Sequence, residues 1–218
     1  MKHSITIPQI SALPHDAAEV PQLFDAMSVP YETIATVNWP DQYPYCPDVQ
    51  FRMAWCTDGI VLHYRVSEQC VRATCGEDDG QVWTDSCVEC FIRNADDALY
   101  YNIECNCIGA MLIGARTCRE DRTRLSVAVV GEVKRWASLG SEPFGVRNEP
   151  TTWELALIIP ASVFAEHPLQ LEKGTTLRAN FYKCGDDLPV PHFVSWNTIE
   201  TERPNFHRPE CFGEVVLG

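Results

Sequence analysis

The chain has 218 residues, 45% of them hydrophobic, and carries 17 Lys and Arg against 30 Asp and Glu, a formal net charge of −13. That length supports one sizeable core, and the whole of residues 1–218 reads as a single domain. The acidic balance repels phosphate backbones and anionic lipid, which argues against nucleic-acid and membrane-surface partners, and no stretch approaches the about 20 apolar residues of a membrane helix. The opening MKHSITIPQISALP shows neither the apolar run nor the small-residue cleavage site of an export signal. As written the chain is therefore expected in the cytoplasm, and outside it only if a signal has been removed.

In chain order, residues 17–27 carry the pattern of a short helix. After Gly59, residues 60–66 alternate, with Ile60, Leu62, Tyr64 and Val66 on one face and His63 and Arg65 on the other. Residues 86–92, 100–108 and 125–133 read as further strands. Residues 153–159 place Trp153, Leu155, Leu157 and Ile159 inward and Glu154 outward, and 160–164 reads as one helical turn. Residues 177–184 separate Leu177, Ala179 and Phe181 from Arg178, Asn180 and Tyr182. Short period-2 strands punctuated by fifteen prolines predict an all-β fold, a sandwich or a barrel, with few short helical turns.

The eleven cysteines are an odd number. Cys105 and Cys107 alternate with Ile103, so they read as small apolar core residues, and most of the thiols are expected to be reduced. Cys87-x-x-Cys90 raises zinc as the sharper alternative, but no second Cys/His pair at ligand spacing follows, and three residues apart in a strand puts the two thiols on opposite faces.

Two clusters combine aromatic and planar polar side chains, the pairing a pyranose needs: a ring for its C–H face and polar groups for its hydroxyls. The first, residues 81–89, holds Trp83 at a loop–strand junction and Glu89 in an otherwise apolar strand. Trp83 reads equally as a core or rim residue. The second runs from His192 through Phe193, Ser195, Trp196 and Asn197 to Asn205, Phe206 and His207, and its plain reading is a long loop packed over a sheet. Between them Tyr100, Asn102, Glu104 and Asn106 share one strand face, either lining a polar concave surface or forming a buried network that fixes two loops. The acidic turns 77–79 and 186–187 supply oxygen atoms suited to calcium, or are simply solvated.

The segments VWTDSCVECFI, YYNIECNCIGA, WELALIIP, NFYKCGDDLPVPHFVSW and PNFHRPECFGEVVLG, in this order from about residue 83 to the C-terminus, resemble the family 9 carbohydrate-binding modules and their stand-alone Bacteroides-type relatives. The resemblance implies a two-sheet antiparallel β-sandwich of jelly-roll-like form and a sugar clamped between two tryptophans, often at the reducing end of a glycan, for which Trp83 and Trp196 are the candidates. It also implies structural calcium, with no ligands that map onto this chain. Asn102, Glu104, Arg116, Asn180 and Asn197 are the expected hydroxyl contacts. The expected partner is a mono- or oligosaccharide, held without cleavage in support of carbohydrate catabolism, with no catalytic residue. Two alternatives stand beside it. One is a glycoside hydrolase using Glu89 and Glu104, which would sit about 5 Å apart for retention or about 6.5–9.5 Å apart for inversion. The other is a structural or partner-binding domain with a degenerate cleft.

Overall fold

A computed structural model describes residues 2–121 and 123–218. In chain order the strands among these residues are β1 (Ser4–Ile7), β2 (Glu32–Thr33), β3 (Thr36–Val37), β4 (Asp48–Cys56), β5 (Gly59–Glu68), β6 (Val71–Ala73), β7 (Cys87–Asn94), β8 (Tyr100–Asn106), β9 (Met111–Arg116), β10 (Thr123–Arg124), β11 (Lys134–Ala137), β12 (Phe144–Arg147), β13 (Thr151–Pro160), β14 (Thr176–Cys184), β15 (Phe193–Ser195) and β16 (Gly213–Leu217). The two α-helical segments are α1 (Val20–Ala26) and α2 (Val127–Val130).

These strands form a two-sheet β-sandwich. The larger sheet runs β1-β16-β14-β7-β8-β9-β10, with β15 on β14 and β3 on β15; the smaller runs β11-β13-β5-β4-β2, and β12 pairs with β6 alone. Pairing is antiparallel except for β1 against β16.

The main core lies between the sheets and is built from the apolar faces expected from the alternation. Ile60, Leu62, Tyr64 and Val66 from β5, Trp153, Leu155, Leu157 and Ile159 from β13, and Leu177, Ala179 and Phe181 from β14 all enter it. Burying each such side chain is worth about 1.5–3 kcal/mol. The outer face of the smaller sheet is covered by α1, whose Val20 and Phe24 pack on Ala54, Val61, Ala156 and Ile158. Pro21 at the first turn suits the start of that helix, since its missing N–H would have no partner there.

Three features depart from the sequence reading. Residues 125–133 are not a strand: Ser126 caps α2 by accepting the Val129 N–H, and a local cap outweighs the β preference of a valine run. The interior strand β4 was not anticipated, because Arg52 interrupts its apolar run. That arginine is buried, with Asp25 at 2.7 Å, its Nε donating to His63 Nδ1 at 3.0 Å and the Tyr31 ring beneath it. Lys183 continues the apolar face of β14 into the sandwich, where its ammonium meets the Glu68 carboxylate at 2.9 Å, the Cys184 carbonyl at 2.8 Å and His192 Nε2 at 2.7 Å. This wholly buried ion pair ties β14 to β5, one strand from each sheet.

Candidate functional site

The outer face of the larger sheet carries the site. Alternation along β8 places Tyr100, Asn102, Glu104 and Asn106 on it. Neighbouring strands add Glu89 from β7, Leu112 and Arg116 from β9, and Cys184 at the end of β14. A 3₁₀ turn at Val82–Thr84 contributes Trp83, and residues 204–207 contribute Phe206 and His207; with Arg119, Asp186 and Phe193 they wall a cavity of about 240 Å³. That is slightly below the about 300–1,000 Å³ of sites for drug-sized ligands, and so is scaled for one small ring.

The walls are held by specific contacts. Asp85, fully buried, accepts the Thr74 N–H and hydroxyl at 3.0 Å each, the Cys75 N–H at 2.9 Å and the Asn106 amide at 3.0 Å. This network anchors the turn that carries Trp83 to β6 and β8. The Asp186 and Asp187 N–H groups donate to the Trp83 and Thr84 carbonyls. On the other side Tyr182 stacks on Phe206 with centroids 4.3 Å apart and donates its hydroxyl to the Phe206 carbonyl. His207 stacks on Phe91, and its Nδ1 lies 3.0 Å from the Tyr100 hydroxyl.

The floor is a polar row. Arg116 Nε donates to Asn102 Oδ1 at 2.9 Å, and Asn102 Nδ2 donates to Glu104 at 2.8 Å. Gly114 leaves room for this row: a Cβ there would lie 2.6 Å from Asn102 Oδ1. Glu89 and Glu104 are direct cross-strand partners. Burial, and then the charge of Glu104, hold the Glu89 carboxyl well above the usual carboxylate range. Burial and the adjacent Asp187 raise Asp186 to about 6. The cavity thus offers carboxyl oxygens, guanidinium donors and apolar rings side by side, the mixture a neutral polyol requires.

Of the residues expected to touch a ligand, Trp83, Glu104 and Arg116 come together in this cavity. Asn102 is fully buried beneath it and acts as the brace between Arg116 and Glu104. Trp196, Asn180 and Asn197 are elsewhere. Trp196 is 1% exposed, packed edge-on against Phe51 and Phe181 in the inter-sheet core, and Gly213 is what admits its ring: a Cβ there would lie 2.8 Å from Cζ3. The Trp83–Trp196 clamp is therefore corrected, since a ring inside the core has no face for a sugar. Asn180 exchanges bonds with the Asn197 main chain, and Asn197 Oδ1 accepts the His3 N–H at 2.7 Å, so both brace the corner after β15.

Glu89 and Asp186, which the sequence raised only for other roles, line the site, as does Cys184. Phe206 and His207 were visible as part of the second aromatic cluster. Arg119 and Leu112 carried no local signal.

The metal readings change as well. Cys90 enters the inter-sheet core while Cys87 faces the other way, so the Cys-x-x-Cys pair cannot share an ion. The acidic turns do not fit calcium: Asp78 is paired with Arg135 and Asp79 with Arg124, while Asp187 faces Arg72 at 3.3 Å and Asp186 faces the cavity. At Asp78, Asp79 and Asp187 a guanidinium stands where the cation would.

The sequence profile of carbohydrate-binding family 9 matches residues 18–217. A crystal structure from Bacteroides uniformis ATCC 8492, provisionally described as a carbohydrate-binding protein, shares 43% identity over 100% of both chains with a TM-score of 0.94. A family 9 module from Caldicellulosiruptor kristjanssonii, solved with glucose, shares 13% identity and a TM-score of 0.57 over 99% of this chain and 96% of its own. The same organism's module solved with cellotriose shares 11% identity and a TM-score of 0.57, over 99% and 93%. Among proteins with curated functions, none matches. By a profile that spans nearly its whole length and by the Bacteroides relative, this chain belongs to carbohydrate-binding family 9.

Proposed function

We propose that this chain is a non-catalytic sugar-binding domain that seats one pyranose unit, free or at the end of an oligosaccharide, in the cavity beside Trp83. The observation that carries the reading is the placement of one half-buried tryptophan beside Glu89, Glu104, Arg116 and Asp186 in a space of about 240 Å³. Trp83 stacks on the C–H face of the ring, with Phe206 and Phe193 completing the apolar wall. The carboxyl and guanidinium groups take the hydroxyls. One ring buries little area, so affinity falls in the about μM–mM range. The glucose and cellotriose held by the distant modules, and the description of the Bacteroides relative, support this choice of ligand class. Such binding suits a role in carbohydrate breakdown, where it concentrates a glycan for enzymes that cut it.

The test is a titration of mono- and disaccharides followed by tryptophan fluorescence and calorimetry. Trp83→Ala is expected to abolish binding in a protein that melts near the parent temperature. Trp196→Ala is expected to lower stability by about 3–5 kcal/mol, as core tryptophan deletions do, while the folded fraction still binds. Silence of the native protein across a broad panel, or undiminished binding by Trp83→Ala, would refute the reading.

A further inference from the structure

We propose that Cys87, Cys184 and Glu89 form a binding site for a zinc-class divalent cation at the floor of the cavity.

The three side chains converge from two adjacent strands. Cys87 and Cys184 are direct cross-strand partners on β7 and β14, and Glu89 lies two residues along β7 on the same face. Their potential ligand atoms, two sulfurs and a carboxylate oxygen, all lie within 4.8 Å of one another, the only such group of three among the described residues. Cys184 Sγ and Glu89 Oε1 are 3.1 Å apart. A tetrahedral site with metal–sulfur bonds of about 2.3 Å places its sulfurs about 3.8 Å apart, so the ligands need shift by no more than about 1 Å.

A second observation concerns the fourth position. Cys184 and Glu89 both line the cavity, so an ion held by three protein atoms has an open side facing it, with the Asp186 carboxyl on the same wall. Three protein ligands and one open position make the arrangement of a zinc site that can also hold water or a ligand oxygen. Two thiolates select a soft or borderline ion over calcium or magnesium, which prefer all-oxygen shells. Loading releases the two thiol protons, and the carboxyl proton wherever Glu89 carries one, to solvent and sets two metal–sulfur bonds and one metal–oxygen bond in their place. The motif is invisible as a motif because 97 residues separate the two cysteines in the chain, and β-pairing alone joins them.

The test uses the full chain, stripped with chelator under reductant, with cobalt(II) as a spectroscopic probe and zinc as competitor. One equivalent of cobalt is expected to produce a sulfur-to-cobalt charge-transfer band and the intense visible bands of a tetrahedral site, both removed by one equivalent of zinc. Cys184→Ser and Glu89→Gln are expected to weaken zinc by more than about tenfold, and Cys90→Ala, on the opposite face, to leave it unchanged. Should the cysteine variants fail to fold, the native spectrum and the near-isosteric Glu89→Gln variant decide. Absence of a thiolate–cobalt band in the reduced native protein, or a band that survives in the Cys87→Ser/Cys184→Ser protein, overturns the proposal. The readout needs no sugar, so its failure and the failure of the sugar reading are separate results.

Discussion

Replacing Asp85 by Asn tests how the fold holds the site. The native carboxylate, fully buried, receives four hydrogen bonds, two on each oxygen, with Arg72 Nε a further 3.4 Å from Oδ1. An amide of the same shape keeps one oxygen for Thr74 and turns an NH₂ toward the Cys75 N–H and the Asn106 amide. Two buried donors then face a third donor group, and each unmet group costs about 1–3 kcal/mol. The sum centres on about 4 kcal/mol, before the lost attraction to Arg72. For a chain of this size that lowers Tm by about 8–16 °C. Because the network anchors the turn that carries Trp83, the folded Asp85→Asn protein should also bind sugar several-fold more weakly. Thermal and denaturant unfolding give the first quantity and fluorescence titration below the melting range gives the second. A variant that melts within about 2 °C of the parent and binds equally well would refute both the stability arithmetic and the anchoring role.

Three further outcomes follow from other parts of the molecule. Lys183→Met strands the buried Glu68 carboxylate and should cost about 3–5 kcal/mol in denaturant unfolding, whereas Lys183→Met/Glu68→Gln, which still offers an oxygen to the Trp153 indole, should recover at least half of that loss. Burial holds His63 down to about 4, and burial with the Lys183 charge holds His192 down to about 3, so both are neutral in the folded protein near pH 7. Their contribution is complete above 6.5, the ordinary histidine value, and falls as pH drops toward 4 and 3, because the unfolded chain takes up protons first. Glu89 and Asp186, held above their usual range, act in the opposite sense. The comparison is therefore with the His63→Gln/His192→Gln protein, which should lose at least about 2 kcal/mol less between pH 7 and pH 4.5; parallel stability–pH curves would refute this. Gly114→Ala should displace Asn102 and with it Arg116, weakening sugar binding several-fold in calorimetry, and unchanged affinity would show that the polar row does not position the ligand contacts.

The sandwich was legible because its strands differ in chemistry between their two faces. Where one face is uniformly apolar and the other mixes polar and charged residues, period-2 alternation records which side meets the inter-sheet core, as in β5, β13 and β14, even though much of their outer face is covered as well. It failed where a charged residue is buried by partners distant in sequence, since Arg52 hid β4. It failed again at 125–133, where a serine cap decided the local structure.

The site divides the same way. Strand alternation put Tyr100, Asn102, Glu104 and Asn106 on one face and left open whether they line a cavity or form a buried network; Glu104 lines the cavity, while Asn102 and Asn106 are buried braces. Which aromatic rings are free was not readable. Trp83 and Trp196 look alike in sequence, each among polar and aromatic neighbours, yet one sits on a turn outside the larger sheet and the other falls on its inner side, admitted by a glycine 17 residues later. By itself the sequence determined the alternating faces and the residue types available for a sugar. The tertiary structure decided which of those residues share a cavity, because cross-strand register, and not spacing along the chain, sets Glu89 against Glu104 and Cys87 against Cys184.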